Sequence, residues 1–471
     1  MSSVSALNSL LSSTASTSSI DLSSILQAAY GSSSSGIDVT SAVAAAVSAA
    51  RAPETSWQNQ ETAVQAQITA LNTLQTDATN LDNDMQSLNS INGPLSSSTV
   101  ASSNSSVVTA SAAAGSTQAT HAVVVTSLAT TGSWTSGVFA ASTTDLPAGS
   151  FTITPGSGSP VTITTDGTQS LSDVATQING DNLGITASII TDASGSRLAL
   201  VANSSGSAAN FTISGASTGF GFAQAATGLN ASLTVDGISI SSASNTVTGV
   251  IPGVTLNLVG AAPGSTITLA VTPNTSGAAT AINQFVSDYN QLITDLNTQF
   301  TFSGTAEGPL ATDTTVRNLQ SEVLGALSYT ATPSSGPTTV PNLTSLGISV
   351  NNDGTLTVDS STLQSVLQNN FSDVQNFFQG SALNGFANSL DQQLTSFISP
   401  ANGAFTVDLQ SMNSEVTTLQ TDVTNFDTNY ITPLQAQLQS DYSQAEILLQ
   451  QLPQEMAQIN TELGNNTKTN G

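Results

Sequence analysis

Few residues in this chain could carry chemistry. His121 is the sole histidine and there is no cysteine. A Ser-His-Asp relay could be built only around that one imidazole, and no Gly-x-Ser-x-Gly elbow is present to display a nucleophile. His121 stands in an alternating Ala/Val stretch, which predicts a half-buried strand residue and not a base. Zinc sites of the Cys/His type are excluded by counting. Asn351, Asp353 and Gly354 suggest a calcium loop at first sight. Setting Gly354 at the sixth loop position places Asp353 fifth, Asn351 third, Ser349 first and Ser360 twelfth, where an Asp and a bidentate Glu are required. A type I′ hairpin turn fits better. The glycines fall where hairpin turns need positive φ and build no phosphate cradle. Carboxylates are plentiful but no pair stands out, and Trp57 and Trp134 are too far apart in the chain for a sugar-binding platform. The expectation is therefore no catalytic residue, no cofactor and no metal.

The spacing of apolar residues says more about the elements. Val64, Ile68, Leu71, Leu74, Ala78, Leu81, Met85 and Leu88 step by threes and fours, as do Met412, Val416, Leu419, Val423, Phe426 and Tyr430. Each series is one seam of a helix that needs another helix to cover it. A first helix opens at Asp38 or Thr40 as N-cap and runs to Arg51-Ala52-Pro53, where Pro53 restarts it. The next spans roughly Thr55 to Leu88 and stops before Asn92-Gly93-Pro94.

From about Thr99 the period changes to two. Strands are predicted at Val107-Val108, His121–Val125, Phe151–Thr154, Val161–Thr164 (with a hairpin turn at Thr165-Asp166-Gly167), Ile185–Ile190 and Arg197–Val201. A short helix follows Ser170, with Leu171, Val174 and Ile178 on one face. Thr234–Ile240 reads as a hairpin turning at Asp236-Gly237. Thr255–Leu258 and Thr266–Val271 are expected to pair across Pro263-Gly264. Helical spacing returns after Pro273, with helices over Ala281–Phe300, Val316–Leu327 and Leu363–Phe378, and a hairpin at Ile348–Val358.

Past Pro433 an apolar seam continues through Leu434, Leu438, Tyr442, Ala445, Leu449, Leu452, Met456, Ile459 and Leu463. The two terminal series predict either an intramolecular bundle or packing between subunits. At the outer C-terminal end the length of the seam favours subunits or a partner, with Leu438, Leu449, Leu452, Met456 and Ile459 as the contact residues.

Composition narrows the function classes. Of 471 residues, 30 are acidic and 4 basic, for a net charge of −26, yet only 7% of residues are charged. The basic residues are scattered singly, so no basic patch exists for nucleic acid or an anionic membrane. Solubility comes from Ser, Thr, Asn and Gln. The Ser-rich, nearly uncharged leader lacks the basic and apolar regions of a signal peptide. It is expected to be disordered in isolation, its Leu7, Leu10, Leu11, Ile20, Leu22, Ile25 and Leu26 folding only against a partner. No apolar run of about 18 residues suggests a membrane span. The lack of cysteine argues against an oxidative framework and fits export of an unfolded chain through a narrow channel.

Several ordered segments then resemble the bacterial flagellar filament capping protein family, also called flagellar hook-associated protein 2. They are Gly36-Ile37-Asp38-Val39 with Ala49-Ala50-Arg51-Ala52-Pro53, followed by Gln65–Leu71. Asn245-Thr-Val247-Thr-Gly249-Val-Ile251-Pro252-Gly253-Val254-Thr-Leu256 and Phe285-Val-Ser-Asp288-Tyr289-Asn290 come next. Leu346-Gly347-Ile348 and Asp353-Gly354-Thr355-Leu356 with Asp359 complete the set. The likeness covers roughly residues 36–460. It implies an α+β multidomain chain: a helical stalk, or coiled coil, formed by both chain ends, with inserted antiparallel β-rich head domains.

The implied divisions are a disordered export and assembly segment (1–35) and a helical stalk with a β-hairpin (36–98 plus 274–433). A first head follows (99–130 plus 232–273), then a second head (131–231) and a C-terminal assembly helix (434–471). The implied function is an oligomeric cap at the distal filament tip that promotes folding and insertion of exported flagellin. The implied partners are further copies of the chain, flagellin, hook–filament junction proteins and a cytoplasmic export chaperone at the C-terminal segment. The location implied is extracellular, reached through the flagellar type III route without a cleavable signal. Two departures stand out: charged residues are few, and Pro433 and Pro453 interrupt the C-terminal seam, predicting breaks there. Another axial flagellar component, or a β-rich adhesin or surface-layer protein, would also suit the Ser/Thr-rich head. The Ile251–Leu256 stretch favours the cap.

Overall fold

The computed structural model describes residues 38–217, 219–301, 308–331 and 338–466. The leader over 1–35, with Gly36 and Ile37, lies outside them. The fold is α+β, and the chain divides into two units. One comprises residues 1–80, 291–323 and 393–471, and the other residues 81–290 and 324–392.

The sequence opens with α1 (Val39–Ala50), capped by the Asp38 carboxylate on the Ser41 N–H at 3.1 Å. Helix α2 (Ala52–Asn89) starts one residue before Pro53, where a missing N–H costs nothing. Its predicted seam is buried: Leu71, Leu74, Ala78, Leu81, Met85 and Leu88 are fully enclosed.

Between residues 98 and 273 all strand pairing is antiparallel. One sheet has the order β1-β15-β3-β11-β12, from β1 (Ser98–Ser102), β15 (Ile267–Pro273), β3 (Ala119–Ser127), β11 (Ala231–Val235) and β12 (Ile238–Ser242). A second has the order β13-β14-β2, from β13 (Thr246–Ile251), β14 (Val254–Leu258) and β2 (Val108–Ala112). Alternate residues of both, among them Val123, Val125, Leu233, Leu256, Ile267 and Leu269, share one core. This is a two-layer sandwich built on the period of two.

The expected pairing of Thr255–Leu258 with Thr266–Val271 is not what forms. β14 pairs with β13 and β2, whereas β15 pairs with β1 and β3. The tight turn is Pro252-Gly253, where Gly253 has φ +75° and Ile251 faces Val254. The Pro263-Gly264 stretch instead carries the chain from one sheet to the other.

Residues 133–226 supply a second core. Sheets β10-β4-β8-β7 and β6-β5-β9 are built from β4 (Ser133–Thr135), β5 (Gly149–Pro155), β6 (Val161–Thr165), β7 (Ile185–Asp192), β8 (Gly195–Ala202), β9 (Phe211–Ser214) and β10 (Ala223–Ala226). With α3 (Leu171–Gly180) they enclose Phe151, Ile153, Ile163, Val174, Ile178, Leu200 and Phe211. Ser170 and Asp173 cap α3 reciprocally. Asp166-Gly167 does not turn a hairpin as expected. Asp166 accepts from the Thr168 N–H at 2.9 Å, and the chain enters α3 two residues later. Where the chain passes between the two β cores the backbones nearly touch. A Cβ at Gly228 would lie 2.9 Å from the Asn210 Oδ1 and from the Gly206 carbonyl, so only glycine fits.

The chain returns to helix in α4 (Thr275–Phe300), α5 (Thr314–Ala326), α6 (Ser360–Asn369), α7 (Phe371–Gln379) and α8 (Phe386–Ile398), with the hairpin β16 (Ile348–Val350) and β17 (Leu356–Val358) before α6. The single helix expected over Leu363–Phe378 is two, broken at Asn370 with φ −134°. Apolar spacing runs on through the break, because Leu363, Leu367, Val374, Phe377 and Phe378 are all buried in one core. The β16–β17 turn is not type I′. Gly354 has φ +85° and is the loop residue in the left-handed region; its N–H bonds the Asn351 carbonyl at 3.0 Å. Asp353 accepts from the Thr355 N–H at 3.0 Å within the same turn.

Where charge is scarce, asparagine takes its place. Asn245 accepts from the Ala129 N–H at 2.7 Å and donates to the Ala129 carbonyl at 3.0 Å. Asn179 does the same to Ala187, Asn210 to Gly228 and Asn290 to Leu356. Each amide copies the donor–acceptor pattern of a neighbouring strand, satisfying both polar groups of one residue. Among the described residues the ion pairs are Arg51–Glu54 and Arg51–Asp427, and His121 is hydrogen-bonded to Asp236.

Candidate functional site

The C-terminal helices carry the residues assigned to assembly. α9 (Ala404–Phe426) passes through one π-helical turn, Asp427–Ile431, into α10 (Thr432–Asn466). The break predicted at Pro433 does not occur. A proline there removes the bond to the carbonyl four residues back and its ring strikes that carbonyl. The chain widens just before it: the Thr432 N–H reaches the Asp427 carbonyl five residues back. Pro453 also lies inside α10, which continues past it.

α1 packs on α10, with Val43, Val47 and Ile431 buried and Val39, Phe426, Leu438 and Tyr442 half-buried around them. The π-turn is tied down on the same side. Arg51 Nη2 donates to Asp427 Oδ1 at 2.6 Å, Trp57 meets Phe426 edge-on at 5.4 Å, and Gln420 donates to Glu61 at 2.7 Å. Glu54 first, then Asp427, holds the Arg51 pKa above its ordinary value. The conspicuous arginine of the N-terminal motif is thus the bolt between the two chain ends.

Leu438 therefore has an intramolecular partner, contrary to expectation. Beyond Tyr442 the cover stops. Leu449 is 44% exposed, Met456 58% and Ile459 54%, with Ile447 and Leu448 equally open beside them. From Tyr442 the steps to Leu449 and Met456 are seven residues each and to Ile459 three more, so these three continue the seam that α1 covers lower down. Leu448, Leu449, Met456 and Ile459 lie on one side of the helix and form an apolar patch of the kind that marks an interaction site.

The residues weighed for catalysis are structural. His121 Nδ1 lies 2.7 Å from Asp236 Oδ2, and Asp236 Oδ1 accepts from the Ala122 N–H at 2.8 Å. The imidazole hydrogen bond, then the amide, hold Asp236 below the usual carboxylate range. Asp236 (φ +51°) and Gly237 (φ +81°) form the predicted β11–β12 turn, so the pair straps that hairpin to β3. Asp236 as partner of His121 was not visible in sequence, since 115 residues separate them. In the other conspicuous motif Asn290 clamps Leu356, and the Tyr289 hydroxyl donates to the Gly354 carbonyl at 3.2 Å, fixing the β16–β17 hairpin on α4.

The chain is thus α+β, with helices towards both ends of its described sequence, antiparallel β cores between them in sequence, and one apolar helix face open to water. Models of the N-terminus and the C-terminus of flagellar hook-associated protein 2 match residues 35–132 and 228–454, and a flagellin hook IN motif matches residues 150–204. The chain belongs to the flagellar hook-associated protein 2 family. The B-type flagellar hook-associated protein 2 of Pseudomonas aeruginosa is 29% identical over 279 residues, covering 53% of this chain and 56% of that protein. The A-type protein of the same species is 34% identical over 175 residues, 36% of this chain and 35% of its own length. The chain thus matches about half the length of the first and about a third of the second. A crystal structure of the flagellar cap protein FliD from Escherichia coli superposes with a TM-score of 0.59 at 26% identity, covering 73% of this chain and 99% of that one.

Proposed function

We propose that this chain is a structural assembly protein that forms a homo-oligomeric cap at the distal tip of a bacterial flagellar filament. There it promotes the folding and insertion of exported flagellin. The observation that carries the reading is the uncovered face of α10 beyond Tyr442 in a member of this family. Leu449, Leu452, Met456 and Ile459 make the contact with other subunits or with an export chaperone, and Leu438 contributes by seating α1. Residues 99–130 with 232–273 form one head and 131–231 a second, both inserted into a stalk made by residues 36–98 and 274–433, with 434–471 as the assembly helix. The chain works outside the cell, next to flagellin and the hook–filament junction proteins. It catalyses no reaction and needs neither cofactor nor metal.

The test is genetic. Deleting the gene in its own bacterium should leave cells without filaments while monomeric flagellin accumulates in the medium, and re-expressing the full chain should restore filaments. Normal filaments in the deletion strain would contradict the reading.

A further inference from the structure

Within the unit formed by residues 81–290 and 324–392, two pairs of carboxyl groups face each other with no cation beside them among the described residues. Asp82 on α2 meets Asp391 on α8, and Asp84 on α2 meets Asp288 on α4. Asp82 is 6% exposed; its Oδ2 accepts from Gln86 Nε2 at 2.8 Å, but its Oδ1 has no N–H or O–H donor. Asp84 Oδ2 is likewise buried without a donor. Asp288 is held by Gln284 Nε2, 3.0 Å from both of its oxygens. Among the described residues no arginine or lysine relieves these pairs. Arg51 is bound to Glu54 and Asp427, Arg317 bonds the Ala311 carbonyl and covers Phe300, Arg197 sits on β8, and Lys468 lies outside the described residues.

Two ionised carboxylates at such sites repel, and each pair leaves one buried oxygen without a donor. One proton per pair removes both problems, because a protonated carboxyl is a donor to the other. We propose that Asp82–Asp391 and Asp84–Asp288 are proton-sharing pairs that hold α2 to α8 and to α4 on the acid side of neutrality and loosen them on the alkaline side. Burial first, then the facing carboxyl, pushes Asp82 up to about 7; the same two causes push Asp84 up to about 7.

The direction follows from proton linkage. The folded pKa lies above the unfolded value of 3.8, so between the two the folded state holds more protons. Stability from these pairs is greatest below the unfolded pKa, declines as pH rises through the folded pKa, and is flat above it. Each pair changes the folding equilibrium by about tenfold per pH unit in that window, and the two together by about a hundredfold. Asp236, Asp359 and Asp373 are lowered by hydrogen bonds and act the other way, only at lower pH. General repulsion among the surplus carboxylates also eases on acidification, but added salt screens that and leaves buried pairs largely untouched.

The test is urea unfolding of the full chain from about pH 5 to about pH 8 in ~0.5 M salt. The unfolding midpoint should be highest at the acid end and fall steadily. In the double variant Asp288→Asn/Asp391→Asn the amides donate without a titrating proton and the repulsion is gone, while burial of Asp82 and Asp84 remains, so the slope should be clearly shallower than in the natural chain. A natural chain whose midpoint is level or rises with pH, or a variant as steep as the natural chain, overturns the proposal. Infrared spectra of the natural chain give a second reading that needs no variant. Near pH 6 a protonated carboxyl band should persist, and its absence overturns the proposal as well.

Discussion

Replacing Leu449, Met456 and Ile459 together by aspartate is expected to convert an oligomer into a monomer without unfolding either unit. Burying each such side chain is worth about 1.5–3 kcal/mol, so losing three of them raises the dissociation constant at least about a thousandfold. The substitutions fall where the side chains are already open to water, so helix content by circular dichroism should not change. This variant is sharper than removing residues 434–471, because truncation also takes away Leu438 and Tyr442, which seat α1. Sedimentation velocity reads the outcome. Equal oligomers from natural and substituted chains would show that this face is not the contact.

The largest loss of stability from one side chain is expected at Phe386. It is fully buried and stacks on Phe377 at 5.3 Å, with Phe285 at 5.7 Å and Phe378 and Tyr329 each at 5.9 Å. Phe386→Ala removes the ring from the middle of this aromatic cluster and should cost about 3–5 kcal/mol. That is a large part of the roughly 5–15 kcal/mol that keeps a domain folded. Phe386→Leu keeps most of the volume and should cost under about 1.5 kcal/mol. Urea unfolding monitored by tyrosine fluorescence would measure both. A loss below about 1 kcal/mol for the alanine variant would mean that the cluster relaxes around the gap.

The long helices were legible in the sequence because their apolar residues recur without interruption and their ends carry Asp38, Pro53 and Asn92-Gly93-Pro94. The strands were legible where alternation is clean, as along Ile267, Leu269 and Val271. Strand partnership was not. Pro252-Gly253 and Pro263-Gly264 look alike in sequence, yet one closes a hairpin and the other crosses between sheets, a choice made by the shared core. The break at Asn370 was hidden because both helices present apolar residues to one interior. Helix α8 was missed although Phe386, Leu390, Leu394 and Phe397 carry the spacing. The asparagine clamps and the Asp82–Asp391 pair could not be read locally, since each joins residues far apart in the chain. The exposed seam of α10 was legible because its apolar spacing continues past Pro433, but the seating of Leu438 on α1 required the fold.

The proposed place of work of this protein is the filament tip. Gold-labelled antibody raised against the second β core, viewed by electron microscopy on intact cells, tests it most directly. Label should be confined to the distal ends of filaments. Label along the filament, at the hook–filament junction or over the cell envelope would contradict it.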